Sequence, residues 1–339
     1  MNARGIVLTT SCVLSAAWGP GVPAAAAQSG KPTPEEIRRF MSQPQLQLRS
    51  YDFDPTTPLE SRIGPCPAFL LDVMRQMDQR PDYEAYEPTR EERRVLAGYL
   101  NGLPAGMRKA FQERLVGIFF VKPFTGNGLG NWLVDEDKNI YATIILNPAG
   151  FDRGLSEVLT SRDASAFKGD GGVRFDCGDK YKGLLYALLH EGTHVYDYIR
   201  GITPYTDETT AYMLREGRGN DAKWDVWDGY SKPRKDADFP LRAKLRFFGL
   251  GGEPALEAKD AAELYAQLAA SPFASLYGSQ SWAEDAADMG VFYHVTQVLK
   301  QPCEVTVPSA DRAKPLRFKV LGSKRTLERA RRIYRRLEK

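Results

Sequence analysis

The sequence Leu189-His190-Glu191-Gly192-Thr193-His194 sets two of the chain's only three histidines four residues apart, with a glutamate beside the first. On a helix, positions i and i+4 share one face a turn apart, so both imidazoles can reach a single ion. The pattern predicts a zinc site with His190 and His194 as ligands. Glu191 is then the base that takes a proton from water at the open coordination position. The flanking residues predict a helix over 179–200, with Asp179 as its N-cap and Gly201 just past its end. Leu184, Leu185, Leu188, Leu189, Val195 and Ile199 supply its apolar positions. Gly192 costs about 1 kcal/mol relative to alanine inside a helix, so it implies close approach there by a neighbouring element or a substrate.

Residues 1–27 read as a secretory signal: Arg4, an uncharged apolar stretch over 5–18, then Ala25-Ala26-Ala27 as a small-residue cleavage site. Export is therefore expected. Cys12 raises a lipid anchor as a rival, against which Thr9-Thr10-Ser11 lacks the large aliphatic residue such a site favours. No later stretch approaches the roughly 18 apolar residues of a transmembrane span. Of the four cysteines, Cys66, Cys177 and Cys303 follow the signal, enough for one disulfide whose pairing the sequence leaves open. A net charge of +3 is too small to argue for a nucleic-acid partner.

Helical patterns are expected over 34–41, 67–77, 89–100 and 105–114, and β-prone runs over 117–121, 132–134 and 140–146. Asp135-Glu136-Asp137-Lys138-Asn139 suits a hairpin loop between the last two. The segment 140–147 is expected to be an edge strand along the cleft, able to bind an extended peptide through its main chain. Residues 201–252 form a long polar connection whose Trp224, Trp227 and Tyr230 either pin it to the body or wall the cleft. Helices are expected over 259–270 and 283–300, then a hairpin. A basic helix closes the chain over 324–337, its stripe Leu327, Ala330, Tyr334 and Leu337 turned inward and its arginines forming a solvated face or, as the alternative, a patch for an anionic surface.

A catalytic zinc needs a third protein ligand. The third histidine, His294, is remote in sequence, so residue types point to a carboxylate. A metzincin continuation would need Gly at 197 and His at 200, where Asp197 and Arg200 stand. In Trp282-Ala283-Glu284-Asp285-Ala286-Ala287-Asp288, Glu284 and Asp288 lie one turn apart. Glu284 can bind the metal while Asp288 accepts the free ring N–H of a ligand histidine. Glu208, in Asp207-Glu208-Thr209-Thr210-Ala211, is the competing third ligand. Asp197 shares a face with both histidines and is either a second outer partner or a solvent-facing acid. Tyr277, Tyr293 and His294 are candidate donors to a developing oxyanion, although His294 falls about 280° round the helix from Glu284.

The H-E-x-x-H followed by E-x-x-x-D resembles the gluzincins, the thermolysin-like clan of zinc metallopeptidases. The stretch 271–298, with Ser271-Pro272-Phe273-Ala274-Ser275-Leu276-Tyr277 before Glu284, is more closely similar to exported bacterial zinc metallopeptidases. Ala286 and Asp288 depart from the Phe and Glu of that pattern. The resemblance covers two segments only. It implies an α+β, helix-rich, zincin-like fold with a small sheet before the H-E-x-x-H helix. An N-terminal lobe over 28–178 and a helical C-terminal lobe over 179–339 would form one catalytic unit. The expected function is an exported zinc-dependent hydrolase acting on a peptide or protein. Alternatives are an amidase acting on cell-wall peptides, or a zinc-stabilised binding protein without turnover.

Overall fold

In the first half of the chain, four helices precede a run of three apolar strands. The computed structural model describes residues 33–208, 222–249, 252–308 and 315–339, so the expected signal over 1–27 and Cys12 lie outside the described residues. Helix α1 (Pro34–Met41) and helix α3 (Arg90–Asn101) each open on a Thr–Glu capping box, Thr33 with Glu36 and Thr89 with Glu92. Between them runs α2 (Ala68–Asp78), for which Pro67 is the cap rather than the first helical residue. Helix α4 (Ala105–Arg114) leads directly into the sheet.

That sheet holds β1 (Ile63–Pro65), β3 (Leu115–Lys122), β5 (Ile140–Leu146) and β4 (Gly128–Val134) in that spatial order, and β2 (Glu84–Ala85) pairs with the end of β3. The pairs β1–β3 and β3–β5 are parallel, while β4 is antiparallel to β5. The expected edge strand is thereby corrected: residues 140–146 are interior, and β4 is the edge. The run Ala142–Leu146 is buried throughout, as suits a strand covered on both faces and paired on both sides. At the edge, Gln47 bridges Val134, and only Gly128 and Leu129 remain half-buried.

After α5 (Leu155–Ala164) and two short strands, β6 (Phe167–Lys168) and β7 (Arg174–Asp176), comes α6 (Gly183–Arg200), the H-E-x-x-H helix. It starts four residues later than the sequence suggests, with Lys182 and not Asp179 as its N-cap. The reason is tertiary. Leu155 donates its N–H to the Tyr181 carbonyl and Gly183 donates to Arg153, holding the entry extended against residues 153–155. Gly201, at a positive φ of 74°, ends the helix as expected.

The aromatic residues of the long connection pin it to the body, and do so from within the core rather than from the surface. Trp227 and Tyr230, around the ribbon β8 (Trp227–Gly229) and β9 (Lys232–Pro233), are buried in the main core, and Trp224 packs against it half-buried. Past β10 (Leu256–Glu257), α7 (Ala261–Ala270) is followed by α8 (Trp282–Tyr293). The expected continuous helix to 300 changes at His294 into a single π-helical turn, His294–Val298. A hairpin of β11 (Glu304–Val307) and β12 (Leu316–Lys319) pairs with β7, and α9 (Lys324–Leu337) closes the fold. Arg329 departs from the expected solvated face of α9: it is buried, whereas Arg331 and Arg335 are exposed.

A disulfide joins Cys177 to Cys303, and Cys66 is free and buried. The main core runs from Leu59 to Leu337, crossing position 178 without a break, so both expected lobes share it. The architecture is α+β and helix-rich. Among the described residues, no helix is long and apolar enough to cross a membrane.

Candidate metal centre

Every residue of α6 from Gly183 to Tyr198 is buried, which requires a partner on each side of the helix. Those partners divide the labour. On one side α4 packs so closely that a Cβ on Gly192 would lie 3.0 Å from the Phe111 ring and 3.3 Å from the Met107 sulfur. Gly192 therefore answers to helix packing. On another side β4 crosses over Glu191 and His194. A Cβ on Gly128 would come within 2.8 Å of Glu191 Cγ, so the edge strand can lie this close only as glycine. The Gly130 N–H donates to Glu191 Oε2 at 2.8 Å.

The third side faces α8, which brings Glu284 to the histidines. His190 Nε2 lies 2.9 Å from Glu284 Oε2 and 3.3 Å from His194 Nε2, and His194 Nε2 lies 3.5 Å from the same carboxylate oxygen. Ligand atoms bound tetrahedrally at roughly 2.0–2.1 Å are about 3.3 Å apart, so this triangle is already the size that such an ion requires. His190, His194 and Glu284 are all buried and could hold a metal ion. Glu208 is exposed and outside this cluster.

Behind the triangle, His190 Nδ1 donates to Asp288 Oδ1 at 2.9 Å, which leaves Nε2 as the face turned to Glu284 and His194. Asp288 also accepts from Tyr186 Oη at 3.2 Å, from Arg162 Nη1 at 2.8 Å and from Ser275 Oγ. Burial disfavours charge on His190, but the hydrogen bonds and charges of Asp288 and Glu284 outweigh it and raise its pKa to about 10. Burial likewise works against Glu284, yet His194 and His190 hold its carboxyl well below the usual range. Burial pushes the Glu191 carboxyl upward against the pull of both histidines, the direction that suits a base working near neutral pH.

Other sequence-predicted residues are placed differently. Asp197 touches neither histidine; it is buried and accepts from the Ile202 N–H, from the Thr203 N–H at 2.8 Å and from Thr203 Oγ1 at 2.5 Å, fastening the chain where α6 ends. The Tyr277 ring lies 5.6 Å from that of His190, beside the cluster. Tyr293 packs on Tyr334 of α9, and His294 Nδ1 is 2.7 Å from Tyr334 Oη, so both turn to the C-terminal helix and not to the histidine pair. Gly130, Tyr186, Arg162 and Ser275 escaped the sequence reading. Tyr186 carried a signal, since it stands four residues before His190 on the same face. Arg162 carried none, because its role depends on a contact 126 residues away.

The buried His294 makes a test independent of any metal. Burial lowers its pKa to about 4, below the roughly 6.5 of an exposed histidine. Between those values the unfolded chain binds the extra proton, so stability falls as pH drops from about 6.5 to about 4, by up to about 3 kcal/mol. His294→Gln should lose that part of the acid sensitivity. Urea unfolding of both proteins at pH 7.5, 5.5 and 4.5 measures it, and parallel pH slopes would refute it.

No protein-family model matches the chain, and neither does any curated protein or any solved structure. Fold and site together define a helix-rich α+β protein with a buried His–His–Glu centre able to hold a metal ion.

Proposed function

We propose that this protein is an exported zinc-dependent hydrolase of peptide bonds with a zincin-like, gluzincin-type arrangement. The observation that carries this reading is the buried triangle of His190, His194 and Glu284, with Glu191 next to His190 on the same buried helix. Two imidazoles and one carboxylate form a donor set suited to zinc, and three protein ligands leave a coordination position for chemistry. Zinc bound there supplies a Lewis acid that polarises a carbonyl and acidifies water.

Glu191 takes the proton from the attacking water and delivers it to the leaving amine. The Gly130 N–H holds Glu191 Oε2 and leaves Oε1 for that transfer. Gly128 and Leu129, the less buried start of the edge strand, offer main-chain groups beside Glu191 along which an extended peptide can align. Tyr277 is the candidate donor to the developing oxyanion, because its ring packs beside His190.

Glu191→Gln removes the base and keeps the ligands. The variant should bind one zinc per chain as the wild type does, while cleavage of a mixed-sequence quenched-fluorescence peptide pool falls about 10²–10⁴-fold. Elemental mass spectrometry and the cleavage assay read the two halves separately. Equal turnover by variant and wild type would remove Glu191 from the reaction.

A further inference from the structure

We infer that Arg162, which lies beyond the ligands and their immediate partner, is a positioning residue that sets the affinity and geometry of the metal centre through Asp288. The inference rests on the metal-site reading above and concerns how that site is held. Arg162 projects from α5 and is 1 % exposed. Its Nε donates to Asp163 Oδ1 at 2.7 Å, and its Nη1 donates to Asp288 Oδ2 and to Tyr186 Oη, each at 2.8 Å. The rings of Tyr186, Tyr277 and Phe175 surround the guanidinium, with centroids 5.3, 5.4 and 5.9 Å from its central carbon.

The consequence appears on counting acceptor sites at Asp288. A carboxylate offers about four lone-pair positions. Oδ1 takes His190 Nδ1 and Tyr186 Oη; Oδ2 takes Arg162 Nη1 and Ser275 Oγ. All four are filled, so the carboxylate has no second orientation of equal quality. His190 Nδ1 keeps its hydrogen on the Asp288 side, and Nε2 stays turned toward Glu284 and His194. Arg162 is the only cation among those donors apart from a protonated His190, and Tyr186 is itself held by the same Nη1. Removing it would leave Asp288 buried with two neutral hydroxyls and an imidazole, free to rotate or to draw His190 with it.

A purely structural arginine would not need this placement. Arg162 Nη2 is buried with no hydrogen-bond partner, an uncompensated loss for a group in a dry interior. The fold tolerates an unpaired N–H here while the other two nitrogens bridge Asp163 and Asp288, a fork that lysine's single ammonium cannot reproduce.

The test uses Arg162→Lys and Arg162→Met in the full chain, with zinc and cobalt as probes. Zinc affinity is measured by competition with a chromogenic chelator, cobalt geometry by the visible spectrum, and metal-free stability by thermal unfolding in excess chelator. Arg162→Met should bind zinc about 10–100-fold more weakly, as follows when an outer partner of a ligand histidine is disturbed. Its cobalt bands should shift, and Arg162→Lys should recover part of the affinity. If Arg162→Met does not fold, Arg162→Lys alone decides, with a weaker zinc affinity and shifted bands expected. Wild-type affinity and an unchanged cobalt spectrum in the lysine variant, whatever its melting temperature, would overturn the role. A wild-type chain that takes up neither metal would overturn the metal-site reading and this inference together.

Discussion

Glu284→Gln should strip the metal from an otherwise folded protein. The substitution keeps the shape of the side chain and exchanges an anionic oxygen for a neutral amide at one corner of the ligand triangle. The loss of zinc affinity should exceed the roughly 10–100-fold expected for altering an outer partner such as Asp288, because a bond to the ion itself is weakened. Glu208→Gln serves as the control. Glu208 is exposed and outside the cluster, so its variant should retain wild-type zinc content. Elemental mass spectrometry after dialysis against a weak chelator compares the three proteins. Metal lost from the Glu208 variant and kept in the Glu284 variant would reverse the assignment of the third ligand.

The neighbouring residue should behave in the opposite way. Asp285 turns away from the histidines. It accepts from Trp227 Nε1 at 2.9 Å and from Arg329 Nη2 of the C-terminal helix, with both ion-pair partners almost fully buried. Breaking a buried pair by deleting one partner costs about 3–5 kcal/mol, since the remaining charge is left uncompensated. Arg329 keeps Asp225, at 2.6 Å, so Asp285→Ala should fall toward the lower end of that range. Urea unfolding followed by tryptophan fluorescence measures the loss, and zinc uptake by the folded fraction should be unaffected. A loss below about 1 kcal/mol would show that the pair contributes little to the fold. Two adjacent acids on one helix thus face different ways, one into the cluster that could hold a metal ion and one into the docking of α9.

Much of the local structure was legible in the residues. The helices Pro34–Met41, Ala105–Arg114 and Lys324–Leu337 fall where their patterns put them, because caps, prolines and apolar spacing act within a few residues. The hairpin around Asp135–Asn139 was legible for the same reason. What failed required partners distant in sequence. The edge strand was misassigned because the parallel pairing of β5 with β3 leaves no mark in β5 itself, which looks the same whether one or both of its sides are paired. The aromatic residues at 224–230 looked like surface anchors because their segment is polar; their burial comes from contacts with α8 and the Phe273 region. Asp197 shared the histidines' helical face but was claimed by the backbone beyond Gly201, a local competitor that spacing alone does not reveal.

By itself the sequence determined the histidine pair, the glutamate between them and the helix that carries all three, since i and i+4 spacing on a helix is a matter of 3.6 residues per turn. It also pointed to a carboxylate as the group that would complete a metal site, because His294 was the only further imidazole. Only the tertiary structure decided which carboxylate closes the triangle and what steadies it. Glu284 arrives from a helix 90 or more residues downstream, Arg162 from one upstream, and the Gly130 N–H from the edge strand. The physical reason is that a cluster able to hold a metal ion is a set of distances, and these are fixed by the way α6 is packed on every side.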